Sequence, residues 1–283
     1  MATAFDAFYI RAASRSGGQR FCVHHAPRGL PARGVVLYVH PFAEELNKSR
    51  RMAAMASRAM AQAGFAVLQI DLLGCGDSSG ELSDAGWSDW IEDALLGADW
   101  LMNRYPGLPM WWWGLRAGAL VASQAAQMCP RASSLLLWQP ALSGKLLLNQ
   151  FLRLNAAAAG LLDGSAKEAM ARSRQALAAG DDVGVAGYRL PAAVAVGLEQ
   201  AVLQLPERVR TVRWLEVVAR EPAELLPASL AQVDKWNADM CDAQTWAVSG
   251  PAFWQTQEIE DAPVLVYTTV RALLSPAGLK SGE

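Results

Sequence analysis

The sequence predicts an α/β fold in which helices cover both faces of a mostly parallel central sheet. Two observations carry that prediction. Short apolar runs at 34–39, 66–70, 110–113 and 134–138 lack the in-out alternation of a half-exposed strand, as expected of strands buried on both faces. Between them stand segments of helical periodicity and glycine-rich turns, and this strand-helix alternation is what parallel sheets require for their crossovers.

Element by element, residues 5–10 and 20–24, separated by Ser16-Gly17-Gly18, read as an opening β-hairpin. The strand at 34–39 is followed by an Ala- and Met-rich helix over 50–63 that ends at Gly64. After the strand at 66–70 comes a glycine-rich loop over 71–80. Helix 87–105 then carries Trp87, Trp90, Ala94, Ala98 and Leu101 at helical spacing toward the sheet. Trp111, Trp112 and Trp113 alternate faces along the next strand, and most of that aromatic bulk belongs to the core. From 141 to 205 the pattern becomes helical and rich in Ala and Leu, with Gly160, Gly164, Gly180, Gly184 and Gly187 as breaks. We read this stretch as a helical cap inserted into a single domain spanning 1–283. Strand 212–218, helix 222–236, strand 244–248 and helix 261–274 complete the series.

Bulk properties narrow the function classes. A chain of 283 residues that is 52% hydrophobic suits one sizeable domain. A formal charge of -2 without basic runs argues against nucleic acid as a partner. Cys22, Cys75, Cys129 and Cys241 have neither zinc-site nor disulfide-framework spacing, residues 1–20 lack the apolar stretch of a signal peptide, and no run suits a membrane-spanning helix. The expectation is a cytoplasmic protein with no metal and no cofactor. His24-His25, an exposed-looking pair without carboxylate or cysteine company, makes a poor metal site.

The chemistry concentrates at residues 111–118, Trp-Trp-Trp-Gly-Leu-Arg-Ala-Gly, where a strand runs through a Gly-x-Arg-x-Gly turn into the small-residue helix 117–129. This layout resembles the nucleophile elbow of the α/β-hydrolase superfamily, a strained turn that presents a serine at the sheet edge, with Arg116 where the serine would stand. The resemblance extends over nearly the whole chain. It is nearest to the bacterial exosortase-A-system-associated hydrolases of the second type, through Pro41-Phe42-Ala43-Glu44-Glu45-Leu46-Asn47-Lys48-Ser49-Arg50-Arg51, Asp71-Leu72-Leu73-Gly74-Cys75-Gly76-Asp77-Ser78-Ser79-Gly80 and Leu137-Trp138-Gln139-Pro140. It implies a setting in exopolysaccharide production and protein sorting, and names no substrate. The triad order of such hydrolases is Ser, then Asp or Glu, then His. Here His24, His25 and His40 all precede the elbow, and the expected histidine loop reads Ser249-Gly250-Pro251-Ala252-Phe253-Trp254. Arginine fills neither missing role, because its guanidinium stays protonated and has no acceptor. Enzyme status therefore rests on the resemblance alone, and a serine mechanism does not fit.

Two roles are open to Arg116. It pairs with Glu44 or Glu45 and plugs the old site, or it joins the helix N-terminus in holding a ligand carboxylate or phosphate. Glu45, then Glu44, are candidate acid-base groups; Asn47, Lys48 and Arg51 on the same charged segment are candidate ligand contacts, although Asn47 or Ser49 can equally serve as a helix cap. A relocated nucleophile, Cys75 or Ser78 assisted by His40, is a weaker candidate beside the reading of an inert buried thiol. Trp138, Gln139 and Trp254 fall at strand ends facing one crevice and suit stacking on a sugar or lipid group, or packing against the cap. Two functions follow: a divergent hydrolase, or a catalytically inactive relative that binds an anionic glycan, an acyl ligand or a protein partner.

Overall fold

The structure, a computed structural model, describes residues 5–12, 17–29, 31–160 and 165–276; Ser16 and Gly164, read above as breaks, lie outside them. β1 (Asp6–Arg11) and β2 (Gln19–His25) form the antiparallel hairpin. β3 (Gly34–Val39), α1 (Glu44–Gln62), β4 (Phe65–Ile70), α2 (Trp87–Arg104), β5 (Met110–Leu115), α3 (Ala117–Met128) and β6 (Ser133–Trp138) follow. Then come α4 (Gly144–Gly160), α5 (Ala166–Ala179), the short pair β7 (Val183–Val185) and β8 (Tyr188–Leu190), and α6 (Ala192–Gln200). β9 (Val209–Val218), α7 (Pro227–Ala238), β10 (Asp242–Ser249) and α8 (Pro263–Leu274) close the chain.

Eight strands make one sheet in the order β1-β2-β4-β3-β5-β6-β9-β10. β2 joins β4 antiparallel, and every neighbouring pair from β4 to β10 is parallel. The two faces carry separate cores. Trp112 packs with Ala94, Leu101 and Leu120 of α2 and α3, whereas Trp111 and Trp113 pack with Met52, Met60 and Leu265 of α1 and α8. This is the face alternation that the three consecutive tryptophans predict.

Three elements depart from the sequence reading. α1 begins at Glu44 rather than at residue 50, because its buried stripe already starts at Leu46 and runs on through Ser49 and Met52. Two carboxylates in its first turn suit the positive end of the helix. Asn47 and Ser49 therefore lie inside the helix and do not cap it; Ala43 holds the cap position with φ 54°. α7 begins at Pro227 instead of residue 222, a proline being well suited to a first helical position. Within the insertion, Ala186 and Gly187 adopt φ 48° and 84° and turn β7 back on β8, where the sequence suggested only helix.

One buried ion pair fixes the hairpin to the sheet's helical cover. Arg20 Nε lies 2.6 Å from Asp93 Oδ1 on α2, with both side chains at most 1% exposed. Asp93 Oδ2 also accepts the Leu73 N–H at 2.7 Å, so the carboxylate anchors the glycine-rich loop as well. Burial pushes the Asp93 carboxyl up to about 6, against the pull of Arg20 and the Leu73 amide. Removing Asp93 takes from the buried Arg20 the carboxylate it meets at 2.6 Å and from the Leu73 amide its acceptor. Asp93→Ala is expected to lower the free energy of unfolding by roughly 3–5 kcal/mol in chemical denaturation; a loss below about 1 kcal/mol would show that the pair does not fasten β2 to α2.

Candidate functional site

β5 enters the elbow at Gly114, and α3 leaves it at Ala117. Arg116 between them has φ 54° and ψ -117°, a backbone conformation that costs a side-chain-bearing residue on the order of 1–3 kcal/mol. The flanking glycines are there because nothing larger fits. A Cβ on Gly118 would stand 2.1 Å from the Val39 carbonyl oxygen, and one on Gly114 would stand 2.4 Å from the Ala119 Cα. α3 therefore starts directly against the end of β3. The Arg116 N–H donates to the Trp138 carbonyl at 3.2 Å, and the Arg116 carbonyl accepts from the Ala119 and Ala141 amides at 3.2 and 3.3 Å. The turn is thus held from both sides, and residue 116 projects from its apex.

Above it lies a cleft of about 380 Å³. Arg116, Glu44, Glu45 and Lys48 form its charged side, and Gln139, Gln150 and Gln255 add amides. Phe42, Leu147, Phe151, Leu154 and Trp254 form its apolar side. Arg116 Nε donates to Glu45 Oε1 at 3.1 Å, and Arg116 Nη2 donates to Gln150 Oε1 on α4 at 3.1 Å. The guanidinium carbon lies 5.8 Å from the centre of the Trp254 ring, within cation-π range. Glu45 Oε2 is buried without a hydrogen-bond partner. Burial raises the Glu45 carboxyl above its ordinary range, while the charge and hydrogen bond of Arg116 pull it down. Lys48 pairs with Glu44 at 2.8 Å. Strained backbone gathers at this cleft: Gln139 has φ 39°, and Ala43, between Phe42 and Glu44, has φ 54°.

Of the residues singled out from the sequence, Arg116, Glu44, Glu45, Lys48, Gln139 and Trp254 meet in the cleft. The others do not. Asn47 Nδ2 donates to the Tyr188 hydroxyl at 3.0 Å and so ties α1 to β8. Arg51 makes a two-point contact with Asp261 at 2.7 and 2.8 Å, holding α1 to the segment before α8. Trp138 is fully enclosed between Trp113 and Phe253 with its Nε1 donating to Thr269 at 2.9 Å, which leaves no face for a ligand.

The relocated-nucleophile trio is built into the scaffold. His40 Nε2 accepts the Leu72 N–H at 3.1 Å and Nδ1 donates to the Pro41 carbonyl at 2.6 Å, so both ring nitrogens are occupied by main chain. Ser78 Oγ accepts from the Phe21 amide and donates to the Asp71 carbonyl. Burial pushes the Cys75 thiol up to about 12, away from the thiolate that nucleophilic attack needs. Asp71 Oδ2 accepts from the Asp77 amide in its own loop and pairs with Arg50. His24 and His25, which looked exposed, are both buried; His24 contacts the Tyr105 hydroxyl and the Trp100 ring. Among the described residues, no three His, Cys, Asp or Glu side chains are grouped to hold a metal, and no helix is long and apolar enough to cross a membrane.

Sequence reasoning missed the apolar wall. Leu147, Gln150, Phe151 and Leu154 fall at i, i+3, i+4 and i+7 of α4, a helical stripe aimed at the cleft. That spacing was visible, but the direction of the stripe depends on how α4 packs against α3, α5 and α6. Phe42 stands just before the turn at Ala43 and Gln255 lies within the turn 253–255, where no periodic signal exists.

The parallel sheet, the elbow between β5 and α3 and the crevice above them define an α/β-hydrolase fold. The chain belongs to the serine aminopeptidase, S33, family, whose pattern it matches over residues 31–211. Human protein ABHD12B is 31% identical over 94 residues, which are 33% of this chain and 25% of that protein, so the match spans a quarter of the curated relative. Among solved structures, Est1E from Butyrivibrio proteoclasticus with bound ferulic acid superposes with a TM-score of 0.67 at 16% identity, covering 95% of this chain and 98% of that one. A thermostable carboxyl esterase from Bacillus coagulans in complex with glycerol gives 0.59 at 18% identity, over 88% and 91%. An α/β serine hydrolase homologue from Coxiella burnetii gives 0.54 at 14%, over 94% and 96%. At these identities the likeness is one of fold.

Burial and the raised thiol pKa lead to a direct expectation for Cys75. Brief exposure of the native protein to iodoacetamide at mildly alkaline pH should leave Cys75 unmodified by mass spectrometry, with alkylation appearing only on denaturation. Rapid native labelling of Cys75 would restore it as a nucleophile.

Proposed function

We propose that this chain is an α/β-hydrolase-fold protein that has lost serine hydrolysis and retains the cleft over Arg116 as a binding site for an anionic ligand. The occupant of the elbow apex supports this most directly. Arg116 keeps the strained φ of 54° there while offering a permanent cation in place of a hydroxyl. Among the described residues, no Ser, Thr, Cys or His side chain lines the cleft, and Trp254 occupies the loop after β10 where this fold carries its base. Residues 141–205 act in this reading as a cap, with α4 supplying the wall opposite Arg116. The segments around Glu45 and Gln139, which resemble the exosortase-associated group, support a setting in a bacterial exopolysaccharide system, with the protein working in the cytoplasm.

A second reading is favoured by Glu45. Its Oε2 is buried without a partner and its carboxyl is raised, properties that suit a general acid. A divergent hydrolase would work through that group. Among the described residues the cleft offers no activated nucleophile to complete such a site, and the binding reading therefore ranks first.

Short-chain p-nitrophenyl esters and a fluorophosphonate probe separate the two. The wild type is expected to show neither turnover above buffer nor labelling, and Arg116→Ser is expected to gain no esterase activity because no histidine lines the cleft. Loss of a working triad member costs on the order of 10⁶ in kcat, so a restored triad would be conspicuous. Robust turnover by Arg116→Ser would reveal a base elsewhere, and wild-type turnover abolished by Glu45→Gln would establish the divergent hydrolase.

A further inference from the structure

We propose that Arg116 is the receptor for the carboxylate of an amphiphilic monocarboxylic acid, with Glu45 as an internal stand-in that the ligand displaces. The proposal rests on the binding reading above and names its ligand class.

The Arg116–Glu45 pair is incomplete. A guanidinium fork matches a carboxylate best through two parallel hydrogen bonds. Arg51 and Asp261 achieve that at the surface, with contacts of 2.7 and 2.8 Å. At the elbow, Arg116 and Glu45 share one contact of 3.1 Å, and Glu45 Oε2 is left buried and unbonded. The second nitrogen of the Arg116 fork is taken by the neutral Gln150, and no described residue accepts from Nη1. Donor capacity therefore remains on a cation whose side chain is 14% exposed and lines the cleft. Gln139 adds to it: its Oε1 accepts the Val217 N–H at 2.8 Å, which leaves its amide nitrogen as a donor at the same cleft.

The remaining lining sets the rest of the ligand. Lys48 is engaged by Glu44, so the cleft offers one available cationic fork and suits one negative charge. Phe42 and Phe151 meet edge to face at 5.1 Å, and Leu147 and Leu154 extend that surface along α4. A polyanionic or polyhydroxylated glycan would leave its polar groups unpaired against these side chains. An acyl or aryl chain bearing one carboxylate satisfies both sides. A volume of about 380 Å³ lies within the range of small-molecule sites.

The test is isothermal titration of the full chain with n-octanoate, octan-1-ol and glucuronate. Octanoate is expected to bind, with octan-1-ol and glucuronate each weaker by about tenfold or more. Arg116→Gln should weaken octanoate by about tenfold or more, and Glu45→Gln, which removes the competing carboxylate and keeps the arginine, should tighten it by about threefold or more. Circular dichroism checks the fold of both variants, and Glu45→Gln remains decisive should Arg116→Gln be unstable. Absence of octanoate binding, equal binding by octan-1-ol, preference for glucuronate, or unchanged affinity in Glu45→Gln would overturn the proposal. Such a failure with the ester assays still negative leaves the loss of serine hydrolysis standing, whereas ester turnover removes that reading itself.

Discussion

The close approach of α3 to the end of β3 governs this molecule's chemistry. Gly114 and Gly118 allow backbone to touch backbone there, and the chain between them is forced into a positive φ at residue 116. Whatever side chain occupies that position is pushed out at the apex of the turn into the crevice at the carboxyl ends of the strands. A serine there is a nucleophile held at the sheet edge. An arginine in the same backbone is a cation standing at the N-terminus of a twelve-residue helix, where the helix's own positive end disfavours it. The sequence thus keeps a costly conformation and adds an unfavourable charge, and compensation comes from outside the turn.

That compensation comes from α1. Starting at Glu44, the helix places Glu44 and Glu45 in its first turn, where its positive end favours them, and aims Glu45 at Arg116. Two helix N-termini therefore meet across the cleft, one bearing a carboxylate and the other a guanidinium. Side-chain exposures of 14% and 22% withdraw this pair from much of the screening that makes surface salt bridges nearly worthless. The same burial makes the pairing imperfect for Glu45, whose second oxygen finds nothing. Nearby contacts hold the frame: Arg51 with Asp261, and Asn47 with Tyr188, fasten α1 to the elements on either side of the cleft.

Much of the scaffold was legible because its signals are local. Glycine spacing marked the elbow, uninterrupted apolar runs marked the parallel strands, and the alternation of Trp111, Trp112 and Trp113 marked two cores. Charge and topology left Arg116 two roles, a ligand contact or a pair with Glu44 or Glu45, and the structure sets Glu45 against it. Residues whose roles depend on longer-range geometry were misplaced. Trp138 looked like a crevice residue because it ends a strand, yet its ring turns inward to Thr269. His40 looked like a base because it ends the neighbouring strand, yet the main chain uses both of its nitrogens. The charged stretch from Glu44 to Arg51 reads as loop by polarity; it is helix because its inward positions, Leu46 and Ser49, continue the buried stripe of Met52, Ala53 and Ala56. The wall of α4 could be seen as amphipathic, but its facing toward Arg116 is set by the fold-back of the insertion.

The coupling between Arg116 and Glu45 is the interaction on which the account stands, and a double-mutant cycle in unfolding free energy measures it. Arg116→Met, Glu45→Gln and the double variant should reveal a coupling of roughly 1–3 kcal/mol that changes little with added salt, as expected of a pair withdrawn from water. Additive effects, with a coupling indistinguishable from zero, would mean that Arg116 stands in the cleft without Glu45 as its counterpart and would contradict the account.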